Sequence, residues 1–275
     1  MISVPALAKA FRMAALGFAC GGGALRANAL TFKTTFASGY DGWVADFADY
    51  KEADSSLRVF KHAIVPVQSI SPSMTALQMT GYVNEPSGVD SVGDLFPFIR
   101  KRFTGLAPNT GYRITFRLGL ATAYGQFETS TLCIKAGATA IEPRKIRGED
   151  NYLRINIRKG PARGPGADLD TLGSIVYHGT GHTFPERRSF DNAEHPFLFK
   201  SDASGAVWIT VGADYLPERG GFLEFNVGTI EVDLEAVSTS LKPRKPLEGG
   251  RGPEVPMGTF RWGTGEWSLA GERIP

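Results

Sequence analysis

One strict alternation of apolar and polar side chains constrains the fold of this chain more than any other feature. The chain turns at residues 108–111 and then runs from Tyr112 to Leu120 with an apolar residue at every even position. Arg113, Thr115 and Arg117 stand between them. An alternation of this length predicts a strand of an antiparallel sheet, with one face buried and the other in contact with solvent.

Other short segments have the same character and are separated by residues typical of turns. They cover residues 30–36, 57–65, 75–83, 95–103, 127–135, 152–158, 172–177, 196–200, 206–212 and 222–237. About ten strands without helical crossovers predict an all-β, two-sheet antiparallel β-sandwich. We expect it to be jelly-roll-like, with a Greek-key sandwich as the alternative.

Three segments carry more specific predictions. Residues 196–212 resemble a hairpin around the turn at 201–205, and residues 178–195 are long enough to predict a functional loop or lid. In the last strand the apolar parity changes near Gly228, and one extra residue there would restore a single buried face, which predicts a β-bulge. The residues of the two parities are Leu223, Phe225 and Val227, then Ile230, Val232 and Leu234.

The first 29 residues have the pattern of a secretory signal peptide. Lys9 and Arg12 precede an apolar run that ends at Leu25, and an A-x-A motif occupies residues 27–29. The run is too short to span a membrane as a helix. We expect export to the periplasm, the cell surface or the medium, with a mature chain from Leu30; a lipoprotein processed before Cys20 is the alternative.

The charge of the remaining chain argues against nucleic acid as a partner. The whole sequence has 30 basic and 28 acidic side chains, and residues 1–29 contain three of the basic ones and no acid, which leaves a formal charge of −1. A chain near neutrality lacks the basic surface that nucleic acid requires. No later segment is apolar over a length that would make it a transmembrane helix.

The sequence predicts one folded domain and a tail. Residues 30–237 carry the strands, and residues 238–275 are rich in proline, glycine and charge, which predicts a flexible tail. Trp262 and Trp267 in that tail could dock on the domain or bind a partner. Cys133, the single cysteine after the leader, lies in a predicted strand and is expected to be buried and inert.

Several segments are similar to known exported β-sandwich modules. GLAPNTGYRITFRL resembles a turn and strand of fibronectin type III-like and carbohydrate-binding jelly rolls, and FASGYDGW and FNVGTIEVDLEAV are similar to the first and last strands of carbohydrate-binding jelly rolls. GDLFPFIRKRFTGLAPNTGYRITF, IKAGATAIEP and FKSDASGAVWITVGAD resemble a group of uncharacterised bacterial exported or lipid-anchored proteins. The resemblance covers most of residues 30–237 and implies a non-catalytic binding module for an extracellular carbohydrate.

Such a module would bind sugar faces with exposed aromatic rings and fix the hydroxyls with neighbouring polar groups. The candidate rings are Trp43, Tyr50, Tyr124 and Trp208. For each ring a place in the core is the alternative, because aromatic side chains dominate sandwich cores. The resemblance also implies a structural Ca²⁺, for which Asp41, Asp46 and Asp49 supply oxygens; aspartates capping their own turns are the alternative.

Two other classes of function stay open from the residues. A jelly-roll polysaccharide lyase or glycoside hydrolase would need paired acids, and Glu128, Glu224 and Glu231 are available. A structural or adhesive surface protein would use a sheet edge or the tail. Three histidines in the long segment invite a metal or acid-base role, but the glycines between the first two argue against a helical ligand pair. They are His178, His182 and His195.

Overall fold

The structure, a computed structural model, describes residues 29–52, 58–67, 71, 73–83, 95–122, 130–177, 186–217 and 222–237. These residues form three antiparallel sheets, two of which pack face to face as a sandwich. The predicted all-β sandwich is therefore confirmed. Residues 1–28, residues 238–275 and Tyr124 lie outside the described ranges, so the predicted signal peptide, except for residue 29, and the predicted tail fall outside them.

The first sheet of the sandwich has seven strands. They are β1 (Leu30–Thr34), β4 (Arg58–Pro66), β5 (Thr75–Val83), β7 (Gly111–Thr122), β12 (Glu186–Asp191), β13 (Phe197–Lys200) and β15 (Phe222–Ala236). Their order is β12-β7-β15-β5-β4, with β1 paired to β15 and β13 paired to β7. The first and last described strands are thus neighbours.

The second sheet has five strands and carries the candidate site. They are β2 (Val44–Ala48), β6 (Phe96–Phe103), β8 (Ser130–Thr139), β11 (Leu169–Tyr177) and β14 (Val207–Pro217), in the order β11-β8-β14-β6-β2. From β5 to β8, and again from β13 to β15, successive strands alternate between the two sheets: β5, β7, β13 and β15 belong to the first, and β6, β8 and β14 to the second. This alternation makes the sandwich jelly-roll-like.

The core between the two sheets follows the sequence pattern. All five even-numbered residues of Tyr112–Leu120 are buried in it, as predicted. On β15 the pairing with β7 shifts between Val227 and Thr229, and both apolar sets of that strand are buried. The bulge at Gly228 is therefore confirmed.

A third, small sheet was not predicted. It consists of β3 (Tyr50–Lys51), β9 (Lys145–Arg147) and β10 (Tyr152–Ile155), in the order β3-β10-β9. With the loop at 156–168 it covers part of the outer face of the five-stranded sheet, that is, the face turned away from the seven-stranded sheet. A second, smaller core lies beneath it, formed by Ala48, Phe96, Phe98, Ile155, Ile157 and Leu169.

Two local predictions were wrong. Residues 196–212 are not a hairpin, because β13 pairs with β7 in the first sheet and β14 belongs to the second. The turn between them crosses from sheet to sheet, and the Asp202 carboxylate stabilises it by accepting the backbone N–H groups of Ser204 and Ala206. The segment 178–195 is not one long loop, because β12 within it pairs with β7.

Candidate functional site

Two of the predicted sugar-binding rings, Trp43 and Tyr50, are buried. Trp43 is only 3% exposed, packs edge-on against Phe103, and donates its indole N–H to the Thr34 hydroxyl at 3.1 Å. Tyr50 is 4% exposed and packs on Phe60. Both rings belong to the core between the sheets, so neither offers a face to a ligand, and their prediction as binding residues is wrong.

Trp208 remains as the aromatic candidate in the described part of the chain. It lies on the outer face of the central strand β14, opposite in parity to the buried Val207 and Ile209. Its ring is half-buried. Its indole N–H has no hydrogen-bond partner among the described residues and is not one of their buried unpaired polar atoms.

The neighbours of Trp208 are fixed by strand register. Trp208 pairs with Arg102 of β6 on one side and with Thr139 of β8 on the other. Directly paired residues of antiparallel strands share a face, with their Cβ atoms about 5 Å apart. A row of Arg102, Trp208 and Thr139 therefore crosses three strands of the outer face. Arg102 is exposed and Trp208 half-buried, whereas Thr139 is buried and its hydroxyl donates to the Ile141 carbonyl at 2.6 Å.

Arg102 is the cation of this row. It is exposed, and its Nη2 donates to the Ser204 hydroxyl at 3.4 Å. Within the described ranges no carboxylate oxygen lies within ion-pair distance of its guanidinium. Most of its N–H donors are therefore free for a ligand.

One carboxylate belongs to the same open area, and it is already paired. Glu142 accepts Arg100 Nε at 3.2 Å and the Nε of Arg144 at 2.9 Å. The hydrogen bond from Arg144, followed by that from Arg100, outweighs desolvation and lowers the pKa of Glu142. Glu142 is thus an anion at neutral pH that holds the 140–144 segment against the sheet.

A cleft of about 540 Å³ adjoins the row at Thr139. It lies between the end of β8, the 156–168 loop and β13. Asn156, Arg158 and Lys200 bring polar groups to it, and Leu198, which is 45% exposed, brings an apolar surface. Arg158 is oriented by Asp168, which accepts its backbone N–H, its Nε and its Nη2.

The predicted calcium ligands do not form one shell. Asp41 and Asp49 have positive φ angles of 48° and 65° in the turns that flank β2, whereas Asp46 lies within that strand. Each carboxylate binds a different lysine, with Lys101–Asp41 at 3.0 Å, Lys145–Asp46 at 3.0 Å and Lys159–Asp49 at 3.1 Å. In the described part of the chain no three His, Cys, Asp or Glu side chains converge on a metal position. The calcium prediction for these three residues is wrong, because ammonium groups already neutralise them.

Sequence reasoning missed a buried network of four charges beneath the third sheet. Lys135 and Asp214 are both fully buried and lie 3.2 Å apart, and Lys159 bridges Asp214 to Asp49. Lys135 Nζ also donates to the carbonyl oxygens of Lys159, Pro161 and Gly164 at 2.9, 2.7 and 2.7 Å. The sequence signal was a single lysine inside the apolar segment 132–138.

Burial and pairing act in opposite directions on these groups. Burial lowers the pKa of Lys135, and Asp214 offsets part of that effect. Burial also raises the pKa of Asp49 against the opposing effect of Lys159. For Lys159 burial works to lower the pKa, but Asp214 and Asp49 outweigh it and the pKa is raised. The network is neutral overall and fastens the loop that forms one wall of the cleft.

The remaining candidates do not assemble into a catalytic site. Glu224 and Glu231 lie seven residues apart on β15, roughly 20 Å at the rise of a strand, which is too far for a glycosidase acid pair. His195 is exposed in the turn before β13, while His178, His182 and Glu128 lie outside the described residues. Cys133 is buried as predicted, and burial, with Asp214, raises its pKa.

Comparison with solved structures returns several carbohydrate-binding modules. The CBM22-1 and GH10 modules of the Clostridium thermocellum endo-1,4-β-D-xylanase 10B, complexed with xylohexaose, match with 8% identity and a TM-score of 0.32; the match covers 76% of this chain and 29% of that chain. TmCBM61, solved with β-1,4-galactotriose, matches with 13% identity and a TM-score of 0.29 over 72% of this chain and 92% of that chain. TmCBM27, a carbohydrate-binding module that recognises mannan, matches with 12% identity and a TM-score of 0.31 over 74% and 98%.

At these identities and TM-scores the likeness carries no argument, and the fold is assigned from the sheets of this chain itself. No protein-family model and no curated protein matches the chain. A membrane-crossing helix, judged by length and apolarity, does not occur in the described ranges. The chain is thus an all-β jelly-roll-like sandwich with an open, partly aromatic and cationic area on the outer face of its five-stranded sheet.

Proposed function

We propose that this protein is an exported, non-catalytic binding module whose ligand is an extracellular carbohydrate. The binding area is the row of Arg102, Trp208 and Thr139 together with the adjoining cleft. The observation that carries the proposal is the half-buried Trp208 ring, with its free indole N–H, on the otherwise covered outer face of a central strand.

The position of Trp208 suits stacking against a sugar ring. Sugars present patches of C–H groups that pack on aromatic faces, while their hydroxyls need hydrogen-bond partners. Strands on both sides of β14 hold the backbone of Trp208, so little backbone freedom is lost on binding. The surrounding groups offer donors, namely the indole N–H and the Arg102 guanidinium. The Ser204 hydroxyl already accepts from Arg102 and donates to Asp202, which leaves it one acceptor position.

The chemistry of this area favours binding over hydrolysis. A general acid at neutral pH needs a raised pKa, as burial gives to catalytic glutamates. The pKa of Glu142 is instead lowered by Arg144 and Arg100. Glu142 therefore supplies orientation and hydrogen bonds and is not poised to donate a proton.

The test is retention of the full chain by immobilised polysaccharides, with Trp208→Ala and Trp208→Phe as variants. Val59→Ala is the matched control, because Val59 is an exposed apolar residue on the edge strand β4 of the other sheet. We expect Trp208→Ala to cost about 2 kcal/mol, the loss typical of an aromatic anchor, which is about thirtyfold in affinity. Trp208→Phe should keep part of the affinity, and Val59→Ala all of it. Unchanged retention of a folded Trp208→Ala variant would contradict the proposal.

A further inference from the structure

Resting on that proposed function, we infer that the carbohydrate is anionic: a polysaccharide whose sugars carry carboxylates, one of which pairs with Arg102 beside the Trp208 ring. The inference concerns the class of ligand and not the location of the site. It follows from a comparison of the acidic groups of this area, which have hydrogen-bond or ion-pair partners, with the cationic groups, two of which form no salt bridge in the described part of the chain.

The acidic groups around the row all have partners. Glu142 is held by Arg100 and Arg144, and Asp168 by Arg158. Asp202 is held in the turn by the backbone and hydroxyl of Ser204, which lower its pKa. None of these carboxylates is left to orient a neutral sugar hydroxyl without giving up an existing bond.

The cationic groups are in excess, and two of them form no salt bridge in the described part of the chain, although Asp202 lies close enough to Arg102 for the arginine charge to lower its pKa. Arg102 stands next to Trp208 in the register of β6 and β14. Lys200 is exposed and lines the cleft that begins at Thr139, on the other side of Trp208. Arg102 therefore lies on one side of Trp208 and the cleft lined by Lys200 begins on the other, although the chain beyond residue 29 has a formal charge of −1.

The geometry of Arg102 favours a carboxylate. A guanidinium has five N–H donors in one plane, and a planar carboxylate accepts two of them in parallel. One N–H of Arg102 is used by Ser204, so a two-pronged pair with a ligand stays available. Arg102 and Lys200 are only two cations. They match a polysaccharide with one carboxylate per sugar better than a densely sulfated polysaccharide.

The experiment compares one polymer with and without its carboxylate charges, and adds a sulfated polymer of a different backbone. The full chain is titrated with polygalacturonate, with the same polymer after methyl esterification, and with dextran sulfate, at low and at raised ionic strength. The variants are Arg102→Gln and Arg102→Lys, and the matched control is Arg113→Gln, since Arg113 is an exposed arginine of β7 that pairs with Glu235.

We expect binding to polygalacturonate that falls at least tenfold in Arg102→Gln, falls less in Arg102→Lys, is unchanged in Arg113→Gln and weakens with salt. Esterification should abolish most of the affinity. Equal binding of the esterified polymer, or no effect of Arg102→Gln, would overturn the inference while leaving a carbohydrate-binding module in place. A preference for dextran sulfate would overturn the carboxylate assignment. Retention of no polysaccharide at all would remove the proposed function itself.

Discussion

Replacing Lys135 by methionine is the sharpest test of how the candidate site is held in place. The substitution keeps most of the side-chain length and its apolar stem but removes the ammonium group. Lys135 Nζ donates to three carbonyl oxygens of the 156–168 loop and lies 3.2 Å from Asp214, and both side chains are fully buried. The variant therefore leaves an excess negative charge and three undonated carbonyls inside the protein.

The expected loss of unfolding free energy follows from the buried groups that Lys135→Met leaves without a partner. Breaking a buried ion pair by removing one partner costs about 3–5 kcal/mol. Asp214 retains Lys159, which argues for the lower part of that range, and each carbonyl left without a donor adds about 1 kcal/mol unless water enters. We expect a total loss of about 6 kcal/mol, or about 3 kcal/mol if water satisfies all three carbonyls, which is a large share of the roughly 5–15 kcal/mol that a domain typically has.

The measurement is urea unfolding followed by tryptophan fluorescence, with Lys33→Met as the matched control. Lys33 makes an exposed pair with Glu231 at 3.5 Å, so its loss should cost less than about 1 kcal/mol. In the double variant Lys135→Met/Asp214→Asn we expect a loss smaller than the sum of the two single losses by at least 1 kcal/mol, because the charge imbalance is removed. A Lys135→Met variant no less stable than Lys33→Met would refute the reasoning, as would simple additivity.

Two further predictions concern the surface and the leader. Thr31 and Arg117 lower the pKa of Asp233 below 3.8, so its contribution to stability is present above pH 3.8 and is lost as the pH falls through the folded-state pKa. Asp233→Asn should therefore lower the unfolding midpoint at pH 7 and change it little near pH 2, and a difference independent of pH would contradict this assignment. For the leader, mass spectrometry of the secreted product should show a chain beginning at Leu30; an acylated Cys20 would show that the signal-peptide assignment at 1–29 is wrong.

The sequence predicted those parts of the fold in which a period of two residues maps directly onto a buried face. The alternation in Tyr112–Leu120 and the change of parity at Gly228 needed no tertiary information, because successive side chains of a strand point to opposite faces. The third sheet could not be predicted in this way. Its strands β3 and β9 have two and three residues, too few to show a period, and they exist because they pair with β10.

The same limit explains why the sequence could not distinguish aromatic residues of the outer face from those of the core. Periodicity puts Trp208 and Asp214 on one face of β14, but it does not say that the third sheet and its loop cover that face at Asp214 and leave it open at Trp208. Trp43 likewise follows a turn with a positive φ at Gly42, and only the tertiary structure shows that this turn directs the ring between the sheets. Whether an aromatic residue binds a ligand or fills a core is therefore decided by what packs over its face, and in this protein that covering layer comes from segments distant in sequence.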